Sequence, residues 1–169
     1  FLEAQLGPVL LFREVTSNAL HQTGALPTGT IAVGVPLALR GNATFCGQPC
    51  DGTQLHVFSG NDAFEFFSPR GLDIAGFVLA ESDLHGAFTP DRLETVLPTL
   101  LAPHLRPLEP RAAWRMRRIF ADICEVITES PECGEDPMRS SLMLREVTDA
   151  VVTALSSIEG EMSEISPAR

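Results

Sequence analysis

The residues with the greatest chemical capacity in this chain are four cysteines and four histidines. Cys46 and Cys50 form the one close pair, with three residues between them. A zinc site needs clustered thiolates, imidazoles or carboxylates, and it usually shows two such pairs. Here Cys124 and Cys133 lie far along the chain, and His21, His56, His85 and His104 are scattered. The expectation is no metal and no cofactor, with the cysteines structural or incidental. Nucleophilic catalysis needs a nucleophile beside a base and an orienting group. No G-x-S-x-G elbow is present, and Ser59-Gly60 is explained by a turn. Phosphate cradles need a Gly-rich loop between a strand and a helix. The candidates, Arg40-Gly41-Asn42 and Ser59-Gly60-Asn61-Asp62, join strands instead. No catalytic residue is therefore assigned.

The aromatic residues offer a different chemistry. Phe45, Phe58, Phe64, Phe66, Phe67 and Phe77 all fall on expected strands, where core packing accounts for most of them. Phe64 and Phe66, however, share a face opposite Glu65. Phenyl rings with one polar group, His56 or Arg40, are how apolar ligand pockets are built. Residues 30–39 alternate with a period of two. Ile31, Val33, Val35, Leu37 and Leu39 form one face; Thr30, Ala32, Gly34, Pro36 and Ala38 form the other, which is small or ring-closed. Such a strand lies between two environments. Either a second sheet packs closely on its small face, or a cavity opens there. The candidate ligand-binding residues are Ala32, Gly34, His56, Phe58, Phe64 and Phe66.

The elements that must position these residues come in two blocks. Residues 9–15, 30–39, 43–46, 54–59, 63–68 and 72–80 read as strands. The pair 54–59 and 63–68, joined through Gly60-Asn61-Asp62, reads as a hairpin. Leu72, Ile74 and Val78 lie on one side of the last strand and Phe77 and Leu79 on the other, which makes it central. Short strands at this spacing suggest an antiparallel barrel or sandwich. The second block is helical. Thr89-Pro90-Asp91 supplies a capping hydroxyl, a proline at the first helical position and an acid in the first turn, and the helix runs to about 101. Residues 103–110 are a Pro-punctuated linker. A second helix runs from Pro110 to about 128, with Met116, Phe120, Ile123 and Ile127 at helical spacing. After an acidic Pro/Gly loop (129–137), a third helix spans about 138 to 158. Its stripe, Leu144, Val147, Val151, Leu155 and Ile158, suits this chain's own core or a second chain. Val147, Val151, Leu155 and Ile158 are the candidate dimer residues, and 161–169 reads as a frayed tail. Strands followed by helices give an α+β fold, divided here into a sheet region (1–88) and a helical region (89–160).

Bulk composition narrows the function. The chain has 169 residues, 44% of them hydrophobic, enough for a core without staples. No run reaches the roughly 20 apolar residues of a membrane span. The net charge is −10, with 12 basic residues, all of them Arg, against 22 acidic ones. Each phosphate contact needs a cation, so this segment is not expected to grip DNA. Its one basic cluster, Arg111, Arg115, Arg117 and Arg118, does not form a stripe and reads as a solvated helix face. Sparse cysteine and the absence of a leader pattern in 1–15 point to a reducing cytoplasm.

Two stretches carry a resemblance. Residues 28–48 (TGTIAVGVPLALRGNATFCGQ) and 54–84 (QLHVFSGNDAFEFFSPRGLDIAGFVLAESDL) resemble the N-terminal regulatory domain of AraC-type transcription regulators. The matching features are the Ser59-Gly60 turn, Phe67-Ser68-Pro69-Arg70-Gly71, the apolar strand 72–80 and the short helical segment Glu81-Ser82-Asp83-Leu84, with helices after it. The resemblance spans nearly the whole chain. It implies a cupin-like β-barrel that binds a small-molecule effector and helices that form a homodimer. DNA contact would belong to a separate C-terminal helix-turn-helix domain. The absent initial Met and an end near the expected linker then suggest an excised sensor domain. The metal-binding His set of enzymatic cupins is missing from this sequence, so the chain is not expected to be an enzyme. The alternatives are a stand-alone cupin enzyme and a pure dimerisation module without effector.

Overall fold

The computed structural model describes residues 1–102 and 104–164. Its strands are β1 (Leu2–Leu6), β2 (Val9–Thr16), β3 (Leu20–Ala25), β4 (Thr30–Ala38), β5 (Ala43–Phe45), β6 (Gln48–Cys50), β7 (Gln54–Ser59), β8 (Ala63–Ser68), β9 (Leu72–Ala80) and β10 (His104–Pro107). Its helices are α1 (Leu84–Ala87), α2 (Pro90–Leu100), α3 (Pro110–Glu129), α4 (Glu132–Glu135) and α5 (Pro137–Glu164), with a 3-10 turn at Glu81–Asp83 before α1. The expected order of strands and then helices stands, with one exception, β10.

The strands form two antiparallel sheets. One has six strands in the order β1-β2-β9-β4-β7-β10, the other four in the order β3-β8-β5-β6. Among the described residues no hydrogen-bonded ladder closes these sheets into a barrel. The arrangement is an open pair of sheets with helices on the outer face of the larger one. Alternation along the central strands explains this layering. Ile31, Val33 and Val35 of β4, Leu55 and Val57 of β7, and Ala75, Phe77 and Leu79 of β9 share one core with the helices. Phe77 stacks on Phe120 of α3 at 6.5 Å between ring centroids. Leu72 and Ile74 of β9 turn the other way, into a second core with Ala43, Phe45 and Phe66 of the smaller sheet. β9 lies between β2 and β4, the central place its two apolar faces require.

The expected hairpin of 54–59 with 63–68 does not form. β7 pairs with β4 and β10, while β8 pairs with β3 and β5. The turn Gly60-Asn61-Asp62 carries the chain from one sheet to the other. Gly60 N donates to the Thr30 carbonyl at 2.7 Å, and a Cβ at Gly60 would lie 2.0 Å from the Pro27 carbonyl oxygen. This glycine is needed for a close backbone crossing; hairpin geometry plays no part. The tight hairpin is instead β5–β6, whose two-residue loop, Cys46 and Gly47, has positive φ at both positions, as two-residue loops favour. The Cys46-x-x-x-Cys50 spacing is therefore a feature of that hairpin.

Residues 103–110 are more than a linker. β10 pairs with β7 (Leu105 opposite His56) and forms an edge of the larger sheet. Pro107 ends this edge strand, a position where a missing N–H is tolerated. Two further expectations shift at helix ends. Thr89 has the extended conformation of a cap, but its hydroxyl makes no capping bond. Glu109 caps α3 instead, accepting from Ala112 N at 2.8 Å. The third expected helix, α5, runs to Glu164, past the expected end near 158, and 165–169 lie outside the described residues. The stripe on α5 takes the first of its two readings. Val147 and Val151 are fully buried and Leu155 nearly so, in the core shared with the sheet. As candidate dimer residues they are thus already packed inside this chain, and the Ile158 side chain lies outside the described residues. Arg92 of α2 pairs with Asp149 of α5 and ties the two helices together.

Candidate ligand cavity between the two sheets

Cross-strand register defines the inner face of the larger sheet. One row runs Leu10, Val78, Ala32, Phe58; the next runs Phe12, Gly76, Gly34, His56, Leu105; a third runs Glu14, Ile74, Pro36. The middle row has two adjacent glycines between two rings. A Cβ at Gly76 would lie 2.0 Å from the Val33 carbonyl oxygen and 2.8 Å from Cζ of Phe12. Glycine there lets the Phe12 ring lie over the strand. Both outcomes foreseen for the small face of β4 therefore occur in different places. The second sheet packs down at the Phe45 end, and a cavity opens over Ala32.

The cavity has a volume of about 200 Å³ and is lined by Phe1, Phe12, Glu14, Gln22, Leu26, Ala32, Phe58, Phe64, Phe66, Ile74 and Val78. Of the six expected ligand-binding residues, Ala32, Phe58, Phe64 and Phe66 line it. Gly34 lies beneath one wall, since a Cβ there would come within 3.0 Å of Ile74 Cδ1 and 3.7 Å of Phe58. His56 lies behind the wall in an aromatic cluster. Its ring stacks on Phe45 at 5.0 Å and meets Phe66 edge-on at 5.4 Å. Phe58 meets Phe45 at 4.7 Å and Phe64 at 5.1 Å, both edge-on, arrangements that suit the ring quadrupole.

His56 is fully buried, and neither ring nitrogen meets a protein hydrogen-bond partner. Burial lowers its pKa from 6.5 to about 4, against the opposing pull of the Asp51 carboxylate. The imidazole is neutral at neutral pH. Arg40 is exposed in the turn after β4 and does not line the cavity. The polar groups at the cavity are Glu14 of β2 and Gln22 of β3, which the sequence reading missed. Gln22 Nε2 donates to both Glu14 carboxylate oxygens, at 3.0 and 3.2 Å. The available signal was the period of two in β2, which puts Leu10, Phe12 and Glu14 on one face. On the opposite face Arg13 donates to Asp73 through two bonds of 2.9 and 2.7 Å.

Two buried thiols are poor nucleophiles or ligands. Burial, with the nearby Asp51 charge, pushes Cys50 up to about 11, and burial pushes Cys124 up to about 11. Among the described residues no group of three His, Cys, Asp or Glu side chains lies close enough to share a metal ion. Nor, among these residues, is any helix long and apolar enough to cross a membrane.

No protein-family model matches this chain, and no curated protein does. Solved structures do. The AraC-like transcriptional activator CuxR superposes with a TM-score of 0.61 at 15% identity, over 91% of this chain and 54% of CuxR. A Pcf11p–Clp1p structure aligns with a TM-score of 0.32 at 11% identity, over 71% of this chain and 23% of that one, too weak a likeness to inform the fold. The chain thus spans about half the length of CuxR, and what it shares with that regulator is the fold: sheets followed by packed helices.

Proposed function

We propose that this chain is the sensing and pairing part of an AraC-like transcription regulator, with a small-molecule effector bound between its sheets in a cupin-like, open arrangement. The observation that carries this reading is the apolar cavity of about 200 Å³ beside Ala32, Phe58, Phe64 and Phe66. The fold shared with a transcriptional activator supports it. DNA would be read by a separate helix-turn-helix domain, in keeping with the net charge of −10 here. The protein would work in the cytoplasm and would not be an enzyme.

An effector switches a regulator only by binding two states unequally. β4 and β9 give that difference a short route. Ala32, Ile74 and Val78 touch the cavity, while their neighbours Ile31, Val33, Ala75, Phe77 and Leu79 touch the helix core. A shift of either strand moves both faces. Homodimer formation would then be carried by helix surface outside the core. Trp114 on α3, flanked by Arg111 and Arg115, is the bulkiest such residue and is 61% exposed.

The test is a thermal-shift screen of the chain against small metabolites, with light scattering to follow its oligomeric state. A ligand at about 100 times its dissociation constant adds roughly 2.7 kcal/mol. A hit lost in Ala32→Leu, which fills the cavity, supports the reading. Hits that survive this substitution place the effector elsewhere and refute it. A stable dimer with no hits would favour a module that only pairs.

A further inference from the structure

We infer that the ligand of this cavity is a small aromatic or similarly flat apolar molecule carrying a protonated amine, rather than a carboxylate or a neutral hydrocarbon. The inference rests on the cavity being the effector site and specifies its chemistry. Size sets the first limit. A volume of about 200 Å³ is slightly above the roughly 150 Å³ that accommodates benzene in an apolar protein cavity. One ring and a short arm fit within it.

The walls set the second limit. Phe12, Phe58, Phe64, Phe66, Ile74 and Val78 present carbon, and phenyl edges and faces pack best on another flat ring. Polarity sets the third. The polar groups at the wall are Glu14 and Gln22. Gln22 directs its amide N–H to Glu14, so its amide oxygen is left as an acceptor beside the carboxylate. A carboxylate has about four acceptor sites, and one amide donor occupies few of them. The rim is therefore rich in acceptors and negatively charged. Among the described residues no basic side chain lines the cavity, and Arg13, adjacent in sequence, points to the opposite face, where it is paired with Asp73. An ammonium group donates three bonds and accepts none, which matches this rim. Phenyl faces also attract a cation, and an anionic head would meet the Glu14 charge with no basic side chain in the lining to offset it.

Three probes that share one ring separate the possibilities: benzylamine (cationic), benzyl alcohol (neutral) and benzoate (anionic). Each is titrated into the full chain at neutral pH by calorimetry. Benzylamine is expected to bind about tenfold tighter than benzyl alcohol, a difference of about 1.4 kcal/mol, and benzoate is expected not to bind. In Glu14→Gln, nearly isosteric and able to keep its bond to Gln22, the amine's advantage over the alcohol should disappear. If benzyl alcohol or benzoate binds as tightly as benzylamine, the charge assignment fails while the cavity stands as a ligand site. If none of the three binds, the cavity reading fails and this inference with it. The wild-type ranking decides the question even if the variant folds poorly.

Discussion

Replacing His56 with leucine should remove a pH-dependent liability built into the sheet interior. The imidazole is fully buried against Phe45 and Phe66, and burial lowers its pKa from 6.5 to about 4. From about pH 6.5 downward the unfolded chain takes up a proton at this position, whereas the folded chain refuses it until about pH 4. Stability should therefore be whole above about pH 6.5, decline as the pH falls through that window, and level off below about pH 4. The gap between the two values corresponds to about 3 kcal/mol. The group that opposes this effect is the Asp51 carboxylate, whose attraction raises the histidine's pKa. Leucine is of similar volume and titrates nothing. Urea unfolding followed by circular dichroism, run on wild type and His56→Leu from about pH 7 to about pH 4, isolates the term. The variant's stability relative to wild type should rise by about 3 kcal/mol across that range. Carboxylates that do not interact with His56 cancel in the comparison. Parallel stability curves for the two proteins would refute the reasoning, because His56 would then titrate alike in the folded and unfolded chains.

Other outcomes follow from features of the same fold. Gly76→Ala should cost about 1–3 kcal/mol or more by denaturant unfolding, since its Cβ would collide with the Val33 carbonyl and the Phe12 ring; an unchanged midpoint would mean that the strands yield there. Glu109→Ala removes the cap that accepts from Ala112 N and should cost about 1 kcal/mol, measured the same way. Alkylation at mildly alkaline pH, followed by mass spectrometry, should label half-exposed Cys46 before Cys50 and Cys124, whose thiols burial pushes up to about 11. The one tryptophan, Trp114, is exposed. Its fluorescence should blue-shift with rising protein concentration if α3 carries the pairing, and Trp114→Ala should weaken association in light scattering.

Much of the architecture was legible in residue patterns. The period of two located both faces of β4 as far as Pro36, beyond which a bulge before Ala38 breaks the alternation and Leu39 joins the second core, and the doubly apolar 72–80 placed β9 at the centre of its sheet. Proline at 110 and the spacing of Met116, Phe120, Ile123 and Ile127 set α3. Pairing was less legible, because turn chemistry fixes only the local path of a chain. Gly60 suits a hairpin loop and a crossing between sheets equally well, and the choice rests on Pro27 and Thr30, distant in sequence. The cavity was partly legible for a similar reason. Small residues announce free space, so Ala32 and the phenylalanines were found. Its polar rim is made by Glu14 and Gln22 on strands that meet only in three dimensions. The stripe on α5 could not declare its partner, since a core and a second chain ask for the same residues.

The strand at residues 104–107 also bears on how this protein can be taken apart. β10 follows α2 yet covers the free edge of β7, and its Leu105 is buried in the core between the sheets. A cut near residue 88, where strands give way to helices, would strip that edge and open the core behind His56. The excised sheets would present unpaired N–H and C=O groups, a template for joining the same edge of another molecule. Sheets and helices, which also share one apolar core, are consequently best expressed together.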